Sequence, residues 1–359
     1  MTRMYAPELV AALRDEQRLI EVNGLPVAVR PVPDDVREHV LDPRVLSNAR
    51  KSASASDSTP PSWDSLLGVR NRPLKADERL ASSDVIFNER LIDVRDHKIN
   101  LYLWEPADRK AMSPALLYFH GGGFTAGNVL QYRRALEYIA EQSGSLVVFP
   151  DYRLAPEAPF PASVDDCVAC ANFLFDCACN LCIDPSRVVI AGDSAGGSLA
   201  NACIQRMPQG AFVAAVELYP LVDAGPEDAS WSYELYPVVP EQADVARSRV
   251  DRLRGSFETL AMMYARSPQD LVDPLVSAMR ASDEVLSAFP PTTIISAEYD
   301  YLRVQDEAFA KRLSDLGVPV RPIRYAGCDH GFFEWPGVRP QTEDAALVIA
   351  DVLSSLQPN

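Results

Sequence analysis

Val188-Val189-Ile190-Ala191-Gly192-Asp193-Ser194-Ala195-Gly196-Gly197 passes from an apolar, mostly β-branched run into a Gly-x-Ser-x-Gly sequence followed by small residues. That order reads as strand, sharp turn, helix. A serine hydroxyl is a weak nucleophile unless a tight turn exposes it beside a base. Glycines at 192 and 196 remove the side chains that would block such a turn. Ser194 is therefore a candidate nucleophile, and its helpers should lie elsewhere in the chain.

Around this stretch, short apolar runs alternate with helical patterns. Strands are predicted at Asp84–Asn88, Lys98–Trp104, Pro114–Phe119, Leu146–Phe149, Val188–Ala191, Phe212–Leu218, Thr292–Ser296 and Val320–Tyr325. Helices are predicted at Ser163–Asn180, Ser194–Gln205, Val304–Leu316 and Gln341–Leu356. Continuous apolar strands separated by helices imply an α/β fold with a mostly parallel sheet covered on both faces. Residues 84–222 and 268–359 read as the catalytic domain. Residues 223–267, long and aromatic-rich, read as an inserted cap. Residues 1–83 have no evident strand, a possible amphipathic start at Pro7–Ile20 and a polar linker at Lys51–Trp63, and are expected to join the cap.

The chain has 359 residues, 47% of them hydrophobic, and a formal charge of −16. The length permits one large core, and the charge argues against nucleic acid or an anionic membrane as partner. No apolar run reaches the roughly 20 residues that cross a bilayer, and Met1–Tyr5 lacks a signal-peptide core, so a cytoplasmic location is expected. Seven cysteines form two Cys-x-x-Cys pairs, at 167/170 and 179/182, with Cys177, Cys203 and Cys328 besides. A zinc site is conceivable from that spacing. Residues 162–175 carry a helical apolar face of Val164, Val168, Ala171, Leu174 and Phe175, however, in which cysteines act as small buried fillers. Free thiols and no metal are expected.

A serine nucleophile needs a base, an acid and oxyanion donors. Of the four histidines, His39 and His97 lie in polar surroundings and His120 opens a glycine run. His330, just beyond the last strand, sits where a parallel sheet builds its site and in the chain order nucleophile–acid–base. The acid should follow Thr292–Ser296, and both Glu298 and Asp300 qualify. Glycines in His120-Gly121-Gly122-Gly123-Phe124 let backbone N–H groups approach a substrate oxygen, and the Ala195 N–H would add a further donor. The same run lacks the lysine of a phosphate-binding loop.

With these residues in hand, the chain resembles the hormone-sensitive-lipase branch of the α/β-hydrolases, the bacterial family IV esterases. The matching pieces are HGGGF at 120–124, DYRLAPE at 151–157 with PFPA at 159–162, GDSAGG at 192–197, EYDYLR at 298–303 and DHGF at 329–332. The resemblance covers about residues 84–359 and implies an α/β-hydrolase fold with a helical cap. It implies a triad of Ser194, Asp300 and His330, an oxyanion hole of Gly121, Gly122 and Ala195, no cofactor, and an Arg153–Glu157 pair bracing the loop near the nucleophile. By analogy with relatives that pair through the last strand and helix, a homodimer is expected. The chain departs from the pattern at Thr125–Val129 and in its longer N-terminal region.

The expected activity is hydrolysis of small-molecule carboxylic esters with short or medium acyl chains. Phe124, Trp231, Tyr233 and Met262 are candidate substrate contacts, as are Tyr236 and Met263, although such spacing serves a core equally well. An amide, carbamate or N-acetyl bond would suit the same residues. A non-catalytic receptor on this fold would be expected to have lost a member of the triad, and none is missing.

Overall fold

The computed structural model describes residues 3–52, 63–226 and 231–357. Among the described residues ten strands form one sheet: β1 (Arg18–Val22), β2 (Leu25–Arg30), β3 (Val85–Val94), β4 (His97–Pro106), β5 (Ser113–Phe119), β6 (Leu146–Pro150), β7 (Ile183–Asp193), β8 (Ala214–Leu218), β9 (Thr292–Tyr299) and β10 (Val320–Asp329). Their spatial order is β1-β2-β10-β9-β8-β7-β5-β6-β4-β3. From β2 to β6 every neighbouring pair is parallel, while β1/β2, β4/β6 and β3/β4 are antiparallel.

The central strands read as unbroken apolar runs because both of their faces are covered. On β5, Ala115, Leu117 and Phe119 join one core with helices Ala162–Asp176 and Ala195–Arg206. Leu116 and Tyr118 join the opposite core with helices Val129–Ser143 and Pro340–Ser354. The helix Val129–Ser143 is additional to those predicted. Its signal was Asn128-x-x-Gln131, which forms a capping box, and Gly144 closes the helix in the left-handed region at φ 67°.

The N-terminal region corrects the sequence reading. Only Glu8–Asp15 of the expected amphipathic start is helical, and residues 18–30 form a β-hairpin that joins the sheet. The turn residues Asn23 and Gly24 both have positive φ, 51° and 78°, the conformation of a two-residue hairpin turn for which Asn-Gly is the strongest short-range signal. Strand β2 pairs in parallel with β10. The free edge of the last strand, through which a second copy was expected to dock, is therefore occupied by this chain's own hairpin.

Helices Pro43–Ser52 and Trp63–Arg70 complete the N-terminal region. Most of the expected linker, residues 53–62, lies outside the described residues. Helices Ala243–Arg254 and Ser256–Met263 form the body of the inserted segment above the carboxyl ends of the strands. No helix among the described residues is long and apolar enough to cross a membrane.

Candidate active site

Ser194 is the one residue between β7 and helix Ala195–Arg206. Its φ of 54° and ψ of −121° lie where side-chain-bearing residues are seldom found. The turn closes because its glycines have no Cβ: one on Gly192 would run into the Gly196 carbonyl, and one on Gly196 into the Phe119 carbonyl.

His330 follows β10 directly. Its Nε2 lies 2.9 Å from Ser194 Oγ, and its Nδ1 lies 2.6 Å from Asp300 Oδ2. Asp300 is fully buried beyond the end of β9, and its Oδ1 accepts the Leu302 N–H at 2.9 Å. The carboxylate is thus held from two sides. Glu298, the other candidate acid, instead accepts the Gly327 N–H at 2.8 Å and faces His39 Nδ1 at 3.4 Å. Asp329, beside His330 in sequence, pairs with buried Arg339 at 2.7 Å. Despite its burial, its carboxyl is held below the usual range by Arg339, with Arg249 and Lys75 adding to the effect.

The remaining histidines stand apart from Ser194. His97, expected to be solvated, bonds buried Asp166 at 2.9 Å through Nε2. His120 stacks on Tyr152 with centroids 4.3 Å apart, and burial pushes its pKa down to about 4, so the ring is neutral.

The glycine loop assigns its donors differently from the motif reading. The Gly121 N–H, an expected oxyanion donor, is taken up by Asp193 Oδ1 at 2.8 Å. A Cβ at Gly121 would stand 2.5 Å from the other oxygen of that carboxylate. The N–H groups of Gly122, Gly123 and Ala195 make no hydrogen bond among the described residues, and all three residues line the same cavity as Ser194 and His330. Gly123 was missed because nothing in three consecutive glycines says which N–H a distant carboxylate will claim. Gly122 has φ 117°, and its missing Cβ makes room for the Ala126 carbonyl.

The cavity holds about 390 Å³, with a floor of Ser194, His330 and the glycine loop. Val69, Arg70, Arg72, Pro73 and Lys75 wall it on the N-terminal side, and Arg249, Leu253, Phe257 and Leu260 on the cap side. The four expected substrate contacts are not in its lining. Phe124 is buried and stacks on Tyr264 at 3.9 Å. Trp231 packs against Tyr233, Tyr236 and Tyr301. Tyr233 donates to Asp251 at 2.5 Å, and Met262 is 67% exposed on the outer surface. Tyr236 is buried and donates to the Tyr301 carbonyl. On helix Ser256–Met263, Met262 faces outward while Phe257 and Leu260 line the cavity.

The expected Arg153–Glu157 pair does not form. Arg153 pairs with Asp166 at 2.7 Å, and Glu157 pairs with Arg70 at 2.6 Å. Arg70 also donates to the carbonyls of Thr125 and Ala155, tying the N-terminal helix to the glycine loop. All seven cysteines are free thiols, with Cys167, Cys170, Cys203 and Cys328 buried. Among the described residues no three His, Cys, Asp or Glu side chains gather as a metal site.

Residues 116–334 match the family of the alpha/beta hydrolase fold. An ethyl acetate hydrolase of Pseudomonas putida is 29% identical over 286 residues, which span 78% of this chain and 84% of that protein. An arylesterase of Saccharolobus solfataricus is 31% identical over 255 residues, 68% of this chain and 76% of the relative. Among solved structures, a carboxyl esterase of the fungus Tuber melanosporum superposes with a TM-score of 0.71 at 26% identity, covering 88% of this chain and 100% of its own. An esterase of the archaeon Pyrobaculum calidifontis gives 0.71 at 27% identity, covering 88% and 99%.

Proposed function

The chain belongs to the alpha/beta hydrolase fold family and is a carboxylesterase of the serine type; we propose that Ser194, His330 and Asp300 carry its reaction. The observation behind this reading is the hydrogen-bonded line from Ser194 Oγ through His330 to Asp300, at 2.9 and 2.6 Å, opening beside three uncommitted N–H groups.

In this mechanism His330 Nε2 takes the hydroxyl proton as Ser194 Oγ attacks the ester carbonyl. The oxyanion receives hydrogen bonds from Gly122, Gly123 and Ala195, each such donor typically contributing about 3–4 kcal/mol to transition-state stabilisation. The adduct collapses, the alkoxide leaves with the proton from His330, and the acyl group stays on Ser194. Water then adds to the acyl-enzyme and gives a proton to His330. The second adduct releases the carboxylic acid and restores the serine. Asp300 holds the Nδ1 proton on its own side of the ring and balances the imidazolium charge.

Short and medium acyl chains are the proposed substrates, supported by a roofed cavity of about 390 Å³. Ser194→Ala should abolish both hydrolysis of p-nitrophenyl acetate and labelling by a fluorophosphonate; full activity in that variant would refute the assignment. A series of p-nitrophenyl esters should peak at short or medium chains, and best activity on long-chain triglycerides would contradict this preference.

A further inference from the structure

The cap helix Ala243–Arg254 sorts its arginines onto two faces. Arg247 lies over the Tyr233 ring at 4.5 Å and Arg254 over Trp231 at 4.4 Å. Arg249 and Arg252, three residues apart and so on one face, line the cavity above Ser194. Arg72 and Lys75 line it from the N-terminal side.

The acids of this lining already have partners. Asp193 accepts from Gly121, Tyr118 and Tyr132, Asp329 pairs with Arg339, and Glu334 pairs with Lys75 at 2.9 Å. Arg72, Arg249 and Arg252 form no ion pair with any carboxylate among the described residues. Arg249 Nε is sealed from solvent and has no hydrogen-bond partner among the described residues. Burial, together with the nearby charges of Arg252 and Arg339, outweighs the attraction of Asp329, which is itself paired with Arg339, and lowers the Arg249 pKa. A buried guanidinium donor without a partner is costly, and it is all the less expected in a chain carrying 50 acidic against 34 basic residues.

We infer that this cavity selects esters bearing a negatively charged group, a carboxylate or a comparable anion, which Arg249 and Arg252 bind from the cap with Arg72 opposite them. The inference rests on the esterase reading and adds the substrate class to it. A carboxylate would satisfy the orphaned Arg249 donor and neutralise the crowded cations, while the ester carbonyl sits over Ser194. A guanidinium fork suits such an anion better than an ammonium does.

The experiment measures kcat/KM for two matched pairs. Monoethyl succinate against ethyl pentanoate places the anion on the acyl side; carboxymethyl butyrate against propyl butyrate places it on the alcohol side. At low salt, at least one anionic ester should exceed its neutral partner by about tenfold, the lower range for a hydrogen bond to a charged group. That ratio should shrink as salt is added. Arg249→Gln and Arg252→Gln should each lower the ratio, and Arg249→Glu should reverse it. Arg252 is exposed, so its variant keeps the test informative if changes at Arg249 impair folding. Equal or slower turnover of both anionic esters, or a ratio that these variants leave unmoved, overturns the inference while the esterase reading stands. Hydrolysis of none of the four esters overturns that reading and the inference together.

Discussion

The Gly121 N–H donates to Asp193 Oδ1 at 2.8 Å, so the residue preceding the nucleophile holds the loop that carries the oxyanion donors. Tyr118 and Tyr132 donate to the same carboxyl group at 3.0 and 3.1 Å. Asp193 is fully buried, and burial with the charge of Glu334 pushes its pKa up to about 7.

Asp193→Asn keeps the size of the side chain but presents an amide where one carboxylate oxygen received the Tyr132 hydroxyl. A loop displacement of about 1 Å can cost on the order of 10²-fold in rate. We therefore expect kcat to fall at least about tenfold while KM changes little, because Asp193 positions the donors and does not anchor substrate. Fluorophosphonate labelling should persist. An unchanged kcat would show that the loop holds its place without this carboxyl.

Asp300→Asn should lower kcat by roughly 10³–10⁴-fold, because an amide at that position favours the wrong imidazole tautomer. Glu298→Gln should stay within about threefold of wild type, since a glutamine oxygen can still accept the Gly327 N–H and such surroundings usually tolerate an isostere. Steady-state kinetics on one ester separate the two. If Glu298→Gln proved the more damaging, the acid would have been assigned to the wrong residue.

Legibility in the sequence followed the range of the forces involved. Strands β5 and β7 were plain because burial on both faces demands an unbroken apolar run. Ser194 and His330 stood out because the turn and the strand end that carry them are local features. The choice between Glu298 and Asp300 was not local: two residues along the chain separate an acid beside Gly327 from one beside His330. The same holds for the donors, where the contact of Gly121 with Asp193 joins residues 72 apart in sequence. The hairpin at residues 18–30 had its Asn23-Gly24 signal, but charged residues around a short strand gave a helical impression. On the cap side the lining depended on the rotation of helix Ser256–Met263, which composition does not encode, and so Met262 was expected where Leu260 and Phe257 stand.

Arg70 links three segments: Nε donates to the Thr125 carbonyl at 2.7 Å, Nη2 to the Ala155 carbonyl at 2.8 Å, and Nη1 pairs with Glu157 at 2.6 Å. Arg70→Ala frees the N-terminal helix from the glycine loop and leaves both carbonyls without this donor. Activity should fall about tenfold in kcat/KM, comparable to losing a hydrogen bond from a charged group. Arg70→Lys should recover little, because an ammonium cannot span the three acceptors in the same fork geometry. Wild-type kinetics in Arg70→Ala would mean that the loop is held by its glycine turns alone.

Glu217 on β8 gives the clearest pH effect. It is fully buried, its Oε2 accepts the Asn201 amide at 3.1 Å, and its Oε1 has no partner among the described residues. Burial pushes its pKa up to about 8 from an ordinary 4.5, against the lowering influence of Asn201. The folded state therefore retains a proton that the unfolded chain releases above about pH 4.5. Its contribution to stability is fully present below that pH, declines as pH rises, and is lost through pH 8, where the buried carboxylate must ionise. Asp193, raised to about 7, acts in the same direction, while His120, held neutral by burial with a pKa of about 4, opposes one of the two below about pH 6.5. Glu217→Gln removes the ionisation while retaining an acceptor for Asn201. Melting temperature should fall for wild type between pH 5 and about pH 8, and the variant should show a shallower decline. Near the top of that range the variant should be the more stable, by several degrees, corresponding to a few kcal/mol on the order expected for a shift of this size. Parallel melting curves for the two proteins would mean that Glu217 stays neutral or finds a charge partner throughout.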